Sequence, residues 1–156
     1  MEALMKEKKN VIKLYNALFP FWLFMLIPEM WFIALPGNFI IDSIVLVISM
    51  LCLRMADKKT FYIRHIFGVY CFGMLADIIG SAYMFFLMWK FGIGSMGDEP
   101  YLTIPALFIS AALIFVFNYF ITFRNTEKAL RLKLSLIFAI VTAPYTFLIP
   151  SSWLYH

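Results

Sequence analysis

Long apolar runs recur along this chain, and they restrict its fold more than any other feature. A helix that crosses the ~30 Å hydrocarbon core of a bilayer needs about 20 mostly apolar residues. Runs at or near that length occupy 14–35, 39–53, 66–88, 103–123 and 134–149. Together they take up most of the 156 residues, which leaves no room for a soluble domain beside them. Composition agrees. Hydrophobic residues make up 63% and charged residues 14%, whereas a soluble domain is roughly half apolar and about a quarter charged. The expected fold is a single all-α integral membrane domain over 1–156, a bundle of about five transmembrane helices with short loops, in the cell membrane.

The first run is interrupted by Pro20 and by Pro28-Glu29. It forms either one kinked helix, since membrane helices tolerate proline where neighbouring groups satisfy the freed carbonyls, or a short span to Ile27 followed by an interfacial segment carrying Trp31. Residues 28–38 are therefore helix, re-entrant or interfacial. Pro36-Gly37-Asn38 has the composition of a turn and separates the first run from the second. Lys6, Lys8, Lys9 and Lys13 precede an apolar stretch, as in a signal peptide. No small-x-small site follows, and Phe21, Trp22 and Phe24 do, so a retained first span is expected.

Charge placement sets an expected orientation. The net charge of +4 would point to nucleic acid in a soluble protein; here the basic residues flank apolar runs, where they act as topology signals, and no nucleic-acid partner is expected. Arg54, Lys58, Lys59 and Arg64 fall in the loop after the second run, and Arg124, Lys128, Arg131 and Lys133 in the loop after the fourth. With the N-terminal lysines, 12 of the 13 Lys and Arg residues lie on one side, and only Lys90 on the other. Basic residues are retained in the cytoplasm, so the N-terminus is expected inside and the C-terminus outside. Trp89, Tyr101, Trp153 and Tyr155 then fall at the outer interface, as an aromatic belt should.

Most motifs in the chain carry no chemistry. Gly92-Ile93-Gly94-Ser95-Met96-Gly97 matches the dinucleotide pattern in letters, but that pattern needs a strand before it and a helix after it. Asp98 and Glu99 beside it would repel phosphate. Cys52 and Cys71 are too few and too poorly spaced for a metal site or a disulfide framework and read as small apolar fillers. His65, expected in the cytoplasmic loop, and His156 have no partner at ligand spacing. Neither metal nor cofactor is expected. Asn118, Thr142, Pro144, Thr146 and the small pairs Ala106/Ser110 and Ala139/Ala143 read as helix-packing features.

The intramembrane acids are the exception. Asp77 lies near the middle of the third run, where a charge costs about 2.5–3.5 kcal/mol. Gly73, Asp77 and Ser81 recur at i, i+4 with Gly80 adjacent, a small-residue face that lets another helix approach. Asn38 and Asp42 share a face of the second run. At 1.5 Å per residue, Asp42 is expected about 6 Å below the outer end of its helix and Asp77 about 17 Å. Glu29, on a continuous first helix, would lie about 9 Å deep; at a helix end it would sit in water. Asp42 is either part of an ion or proton site or an acid at an interfacial helix end, and Asp77 is either part of that site or a hydrogen-bonding group that only stabilises helix packing. No basic residue lies at those depths. A carboxyl taken out of water without a cation beside it either takes up a proton or holds a cation.

Two aspartates in a membrane also invite a hydrolytic expectation, because aspartyl catalysis needs two carboxyl groups sharing one proton. The stretch Gly37-Asn38-Phe39-Ile40-Ile41-Asp42 resembles the Gly-Asn-x-x-Asp-Arg stretch of lipoprotein signal peptidases. It is one residue too long, Ser43 stands in place of the arginine, and Asn-x-Ala-Asp is absent, so no catalytic role carries over. The leading expectation is a small transporter or channel-like protein, linked to a proton or cation, rather than an enzyme. Its site would comprise Asp77, Asp42, Asn38, Glu29 and Ser81. Five spans do not divide into paired repeats, so a homo-oligomer or a subunit of a larger membrane complex is expected. The rival is a non-catalytic accessory, immunity or anchoring subunit, and an intramembrane hydrolase stands third.

Overall fold

The computed structural model describes residues 31–91 and 100–148. Residues 14–30 of the first run, the N-terminal lysines, Glu29, the 92–97 glycine stretch, Trp153, Tyr155 and His156 lie outside the described residues. Among those described, every regular element is helical: α1 (Trp31–Cys52), α2 (Lys58–Phe91), α3 (Pro100–Phe117), a π-helical turn (Asn118–Thr122), α4 (Lys128–Val141) and a short 3-10 turn (Tyr145–Leu148). Three of these helices are long and apolar enough to cross a membrane: Trp31–Cys52, Lys58–Leu87 and Thr103–Thr122.

Three sequence expectations are corrected. Pro36-Gly37-Asn38 is not a turn, because α1 runs through it with Pro36 inside the helix. In an apolar surrounding every backbone group must be bonded within the segment, so continuing the helix past one proline costs less than opening a turn. The basic residues Lys58, Lys59 and Arg64, and His65 with them, are not in a loop but on the first turns of α2. That helix has 34 residues, about 51 Å at 1.5 Å per residue, and outlasts the hydrocarbon core. The fifth run is not one helix. α4 ends at Val141 after 14 residues, about 21 Å, and Thr142-Ala143-Pro144 separate it from the 3-10 turn.

The break has a local cause. Pro144 lacks the N–H that a further turn needs and disfavours a helical residue before it. Thr142 closes the helix instead, its N–H and its Oγ1 both donating to the Phe138 carbonyl at 3.0 and 2.8 Å. The α1–α2 turn is similar in kind. Met55 N–H donates to Met50 O and Arg54 N–H to Leu51 O, both at 3.1 Å, with Arg54 at φ 50°. These are the two bonds of a Schellman cap, with arginine in the left-handed position that glycine usually holds.

Packing is inside-out relative to a soluble protein. On α1 the buried positions are Asp42, Val45, Leu46, Ser49 and Met50, one stripe at helical spacing. Its opposite face exposes Ile40, Ile44, Val47, Ile48 and Leu51. The polar side chains point inward: Ser49, His65, Asp77, Ser81, Ser110, Asn118 and Ser135 are all buried. Water would favour the reverse arrangement, whereas lipid favours this one, because a polar group in hydrocarbon costs more than one facing a neighbouring helix. α2 packs against both α1 and α3, and α4 against α3. The apolar core joins Leu46, Val69, Ile114, Phe123, Leu134 and Phe138.

The turns at 53–57 and 123–127 meet at one end of the bundle, where Phe61 stacks on Phe123 at 6.1 Å. Arg54, Lys58, Lys59, Arg64, Arg124, Lys128, Arg131 and Lys133 therefore gather at that end. Among the described residues, only Lys90 lies at the other.

Candidate functional site: an acidic cavity in the bundle

α1 and α2 run antiparallel side by side, held by an edge-on contact of Phe39 with Tyr70 at 5.5 Å and a Tyr62–Ser43 hydroxyl bond of 2.9 Å. That pairing sets Asp42 against Gly73. A Cβ built on Gly73 would stand 3.6 Å from Asp42 Oδ2. Asp77 lies one turn further along α2 on the same face, as the i, i+4 spacing requires. Asp42, Asp77, Gly73 and Asn38 all line one cavity of about 250 Å³. The wall opposite is formed by Val141 at the end of α4, the unwound Thr142-Ala143-Pro144 and Tyr145.

The sequence thus singled out Asn38, Asp42, Gly73 and Asp77, which the fold brings to one cavity, and missed Ile41 and the wall that α4 supplies. The wall's signal was present in Thr142 and Pro144, which by composition read as packing features and in the fold end α4. Asn38 is turned partly away, with Nδ2 donating to Met74 Sδ at 3.0 Å. Ser81 is fully buried but does not line the cavity, because one more turn along α2 carries it past the cavity. Glu29 lies outside the described residues.

Depth is also revised. With α1 beginning no later than Trp31, Asp42 is eleven residues from that end, about 16 Å rather than 6 Å. Both aspartates therefore sit near the middle of their helices, Asp42 beside Gly73 and Asp77 about 6 Å further along α2.

Electrostatically the cavity is one-sided. Asp42 and Asp77 are 5% and 6% exposed, and neither Lys, Arg nor His is among the residues lining the cavity. Asp77 Oδ1 is buried without a hydrogen-bond partner among the described residues. The C-terminal end of α4, the negative end of its dipole, reaches the same space. Two carboxyl groups and a helix C-terminus facing each other repel unless a positive charge lies between them or a proton is taken up. Among the described residues no cluster of His, Cys, Asp and Glu has the geometry of a metal site.

A second cleft, of about 440 Å³, opens at the basic end between the α1–α2 turn and α4. Asp57, Thr60, Arg64, His65 and Leu130 line it. His65 is buried in its wall rather than free in a loop. Its ring lies 4.1 Å from that of Phe61 and 5.4 Å from that of Phe123, and Nδ1–H donates to the Phe61 carbonyl at 2.9 Å.

Among the described residues, fold and cavity together define an all-helical protein with three helices fit to cross a membrane and an acidic cavity between α1, α2 and the end of α4. Comparison with known protein families, with characterised proteins and with solved structures finds no match for this chain.

Proposed function

We propose that this chain is a multi-pass protein of the cell membrane that moves a proton, a cation or a small solute linked to one. Asp77 is its central ionisable group, with Asp42 beside it. The observation that carries the proposal is the unpartnered, buried Oδ1 of Asp77 in a cavity that holds a second aspartate and no cationic side chain. A carboxyl whose only role is packing would be expected to bond a neighbouring helix. The broken fifth run supports the same reading, since transporters build ion sites where discontinuous helices bring C-terminal ends and unwound backbone to a cavity.

The topology proposed with it has about five spans, the basic end of the bundle in the cytoplasm and the C-terminus outside, following the retention of Lys and Arg inside. A chain of five spans lacks paired repeats, so the working unit is a homo-oligomer or a complex with another membrane protein.

The test is pH-gradient-driven and cation-gradient-driven flux in proteoliposomes, comparing wild type with Asp77→Asn. Flux from the wild type and a loss of at least tenfold in the variant is the expected result. Equal flux from both, or none from either under proton, sodium and potassium gradients, would overturn the proposal and leave the accessory-subunit role.

A further inference from the structure

Between the acidic cavity and the basic-end cleft, the bundle buries a second group of polar atoms. Asn118 Nδ2 and Oδ1, Thr122 Oγ1 and Ser135 Oγ are all buried, and none has a hydrogen-bond partner among the described residues. Asn118 and Ser135 are 0% exposed. Asn118 and Thr122 are the first and last residues of the π-helical turn, and that turn packs against both α2 and α4, the helix that carries Ser135.

Left dry, each such group has given up its bonds to water without replacement, a cost that folded proteins rarely leave unmet. Folded proteins meet that cost with buried water, which typically makes about three hydrogen bonds to groups of this kind. An amide and two hydroxyls supply the donors and acceptors a water needs. The π turn is consistent with this, because wide turns within α-helices recur at functional sites.

Their position along the bundle is informative. Thr122 lies against α2 at Gly68, where a built Cβ would come within 3.1 Å of Thr122 Cγ2. Gly68 is three residues from His65 in the cleft wall and nine from Asp77, about 5 and 14 Å along the helix axis. Asn118 lies one turn nearer to Asp77. Ser110, two turns further along α3, bonds the Ala76 carbonyl beside Asp77. Polar groups thus recur down the α2–α3 seam, with Ile114 the apolar step between Ser110 and Asn118.

We propose that Asn118, Thr122 and Ser135 form a buried water site that continues the path from Asp77 toward the His65 cleft. This rests on the transport reading for its purpose, but its occupancy can be measured independently. Asn118 orients the water and the hydroxyls of Thr122 and Ser135 extend the hydrogen-bonded file. Ile114 is the constriction that separates this site from the acidic cavity.

X-ray radiolytic labelling of the full chain in nanodiscs tests the site, because hydroxyl radicals made from bound water modify the side chains touching it. Phe123 and Phe138 are 0% exposed, so labelling of either reports internal water. We expect labelling in the wild type and at least a threefold loss in both Asn118→Leu and Ser135→Ala, the second removing a single oxygen. No labelling in the wild type, or unchanged labelling in Ser135→Ala, would overturn the site. For the path, both variants should lose at least tenfold in flux while a hydrophobic carbodiimide still modifies Asp77. Wild-type flux in both, or loss of the carbodiimide reaction in Ser135→Ala, would overturn it. If Asp77→Asn proves silent in flux, the transport reading falls and the radiolytic result still judges the water site.

Discussion

The hydroxyl of Ser110 donates to the carbonyl of Ala76 at 3.1 Å, tying α3 to α2 one residue before Asp77. That carbonyl is also the one the Gly80 N–H reaches in a regular helix. The bond can form because Gly80 has no side chain. A Cβ there would overlap Ser110 Oγ and stand 2.9 Å from Phe147 Cε2. One glycine therefore sets how closely α2, α3 and the 3-10 turn after α4 approach beside the acidic cavity.

Gly80→Ala should destabilise the protein by about 1–3 kcal/mol, the usual range for overpacking a filled interior. Gly37→Ala is the control, since a Cβ there meets nothing within 4 Å. Alanine at an open helical position should stabilise by about 0.5–1 kcal/mol. Thermal unfolding of both variants in detergent, followed by circular dichroism, would show opposite shifts in Tm.

Arg54 closes α1 at φ 50°, a conformation that costs a side-chain-bearing residue about 1–2 kcal/mol. Arg54→Gly should raise stability by about 0.5–1 kcal/mol, less than the full strain because glycine is freer when unfolded. Arg54→Val should lower it, since a β-branched residue fits that region worst. The same melting measurement decides between them, and no gain from glycine would refute the cap assignment.

Asp42 and Asp77 share one cavity, so removing either charge should affect a single function. The double variant Asp42→Asn/Asp77→Asn should lose no more flux than Asp77→Asn alone, because sites that act together are non-additive. Independent losses that multiply would mean that the two carboxyls serve separate steps.

Cys52 is exposed at the last residue of α1, beside the basic end, whereas Cys71 lies half-buried within α2. A membrane-impermeant maleimide should modify Cys52 in inside-out vesicles and leave it unmodified in intact cells. Modification from the outer side would reverse the proposed orientation.

Helical class and the burial of Asp77 were legible in the sequence because both follow from solvation of single residues. Twenty apolar residues in a row have one comfortable conformation in lipid, and an aspartate among isoleucines must find an interior. The small stripe of Gly73 and Asp77 likewise marked the face that meets α1. Element boundaries were less legible. Pro36-Gly37 looks like a turn in water and is helix here, while Lys58 to His65 look like a loop and begin a long helix. Local composition weighs turn preference, but the cost of an unbonded backbone in an apolar surrounding outweighs it.

By itself, then, the sequence showed a chain of apolar helices with Asp77 in the middle of one of them, and basic residues confined to alternate gaps between the apolar runs. Only the tertiary structure decided that the two aspartates line one cavity, that the broken end of α4 forms the opposite wall, and that Ser81 stays out. Those facts depend on the register between helices. Register is set by contacts between residues far apart in the chain, such as Gly80 with Ser110 and Gly73 with Asp42, and no local pattern along one helix specifies where its neighbour comes to rest.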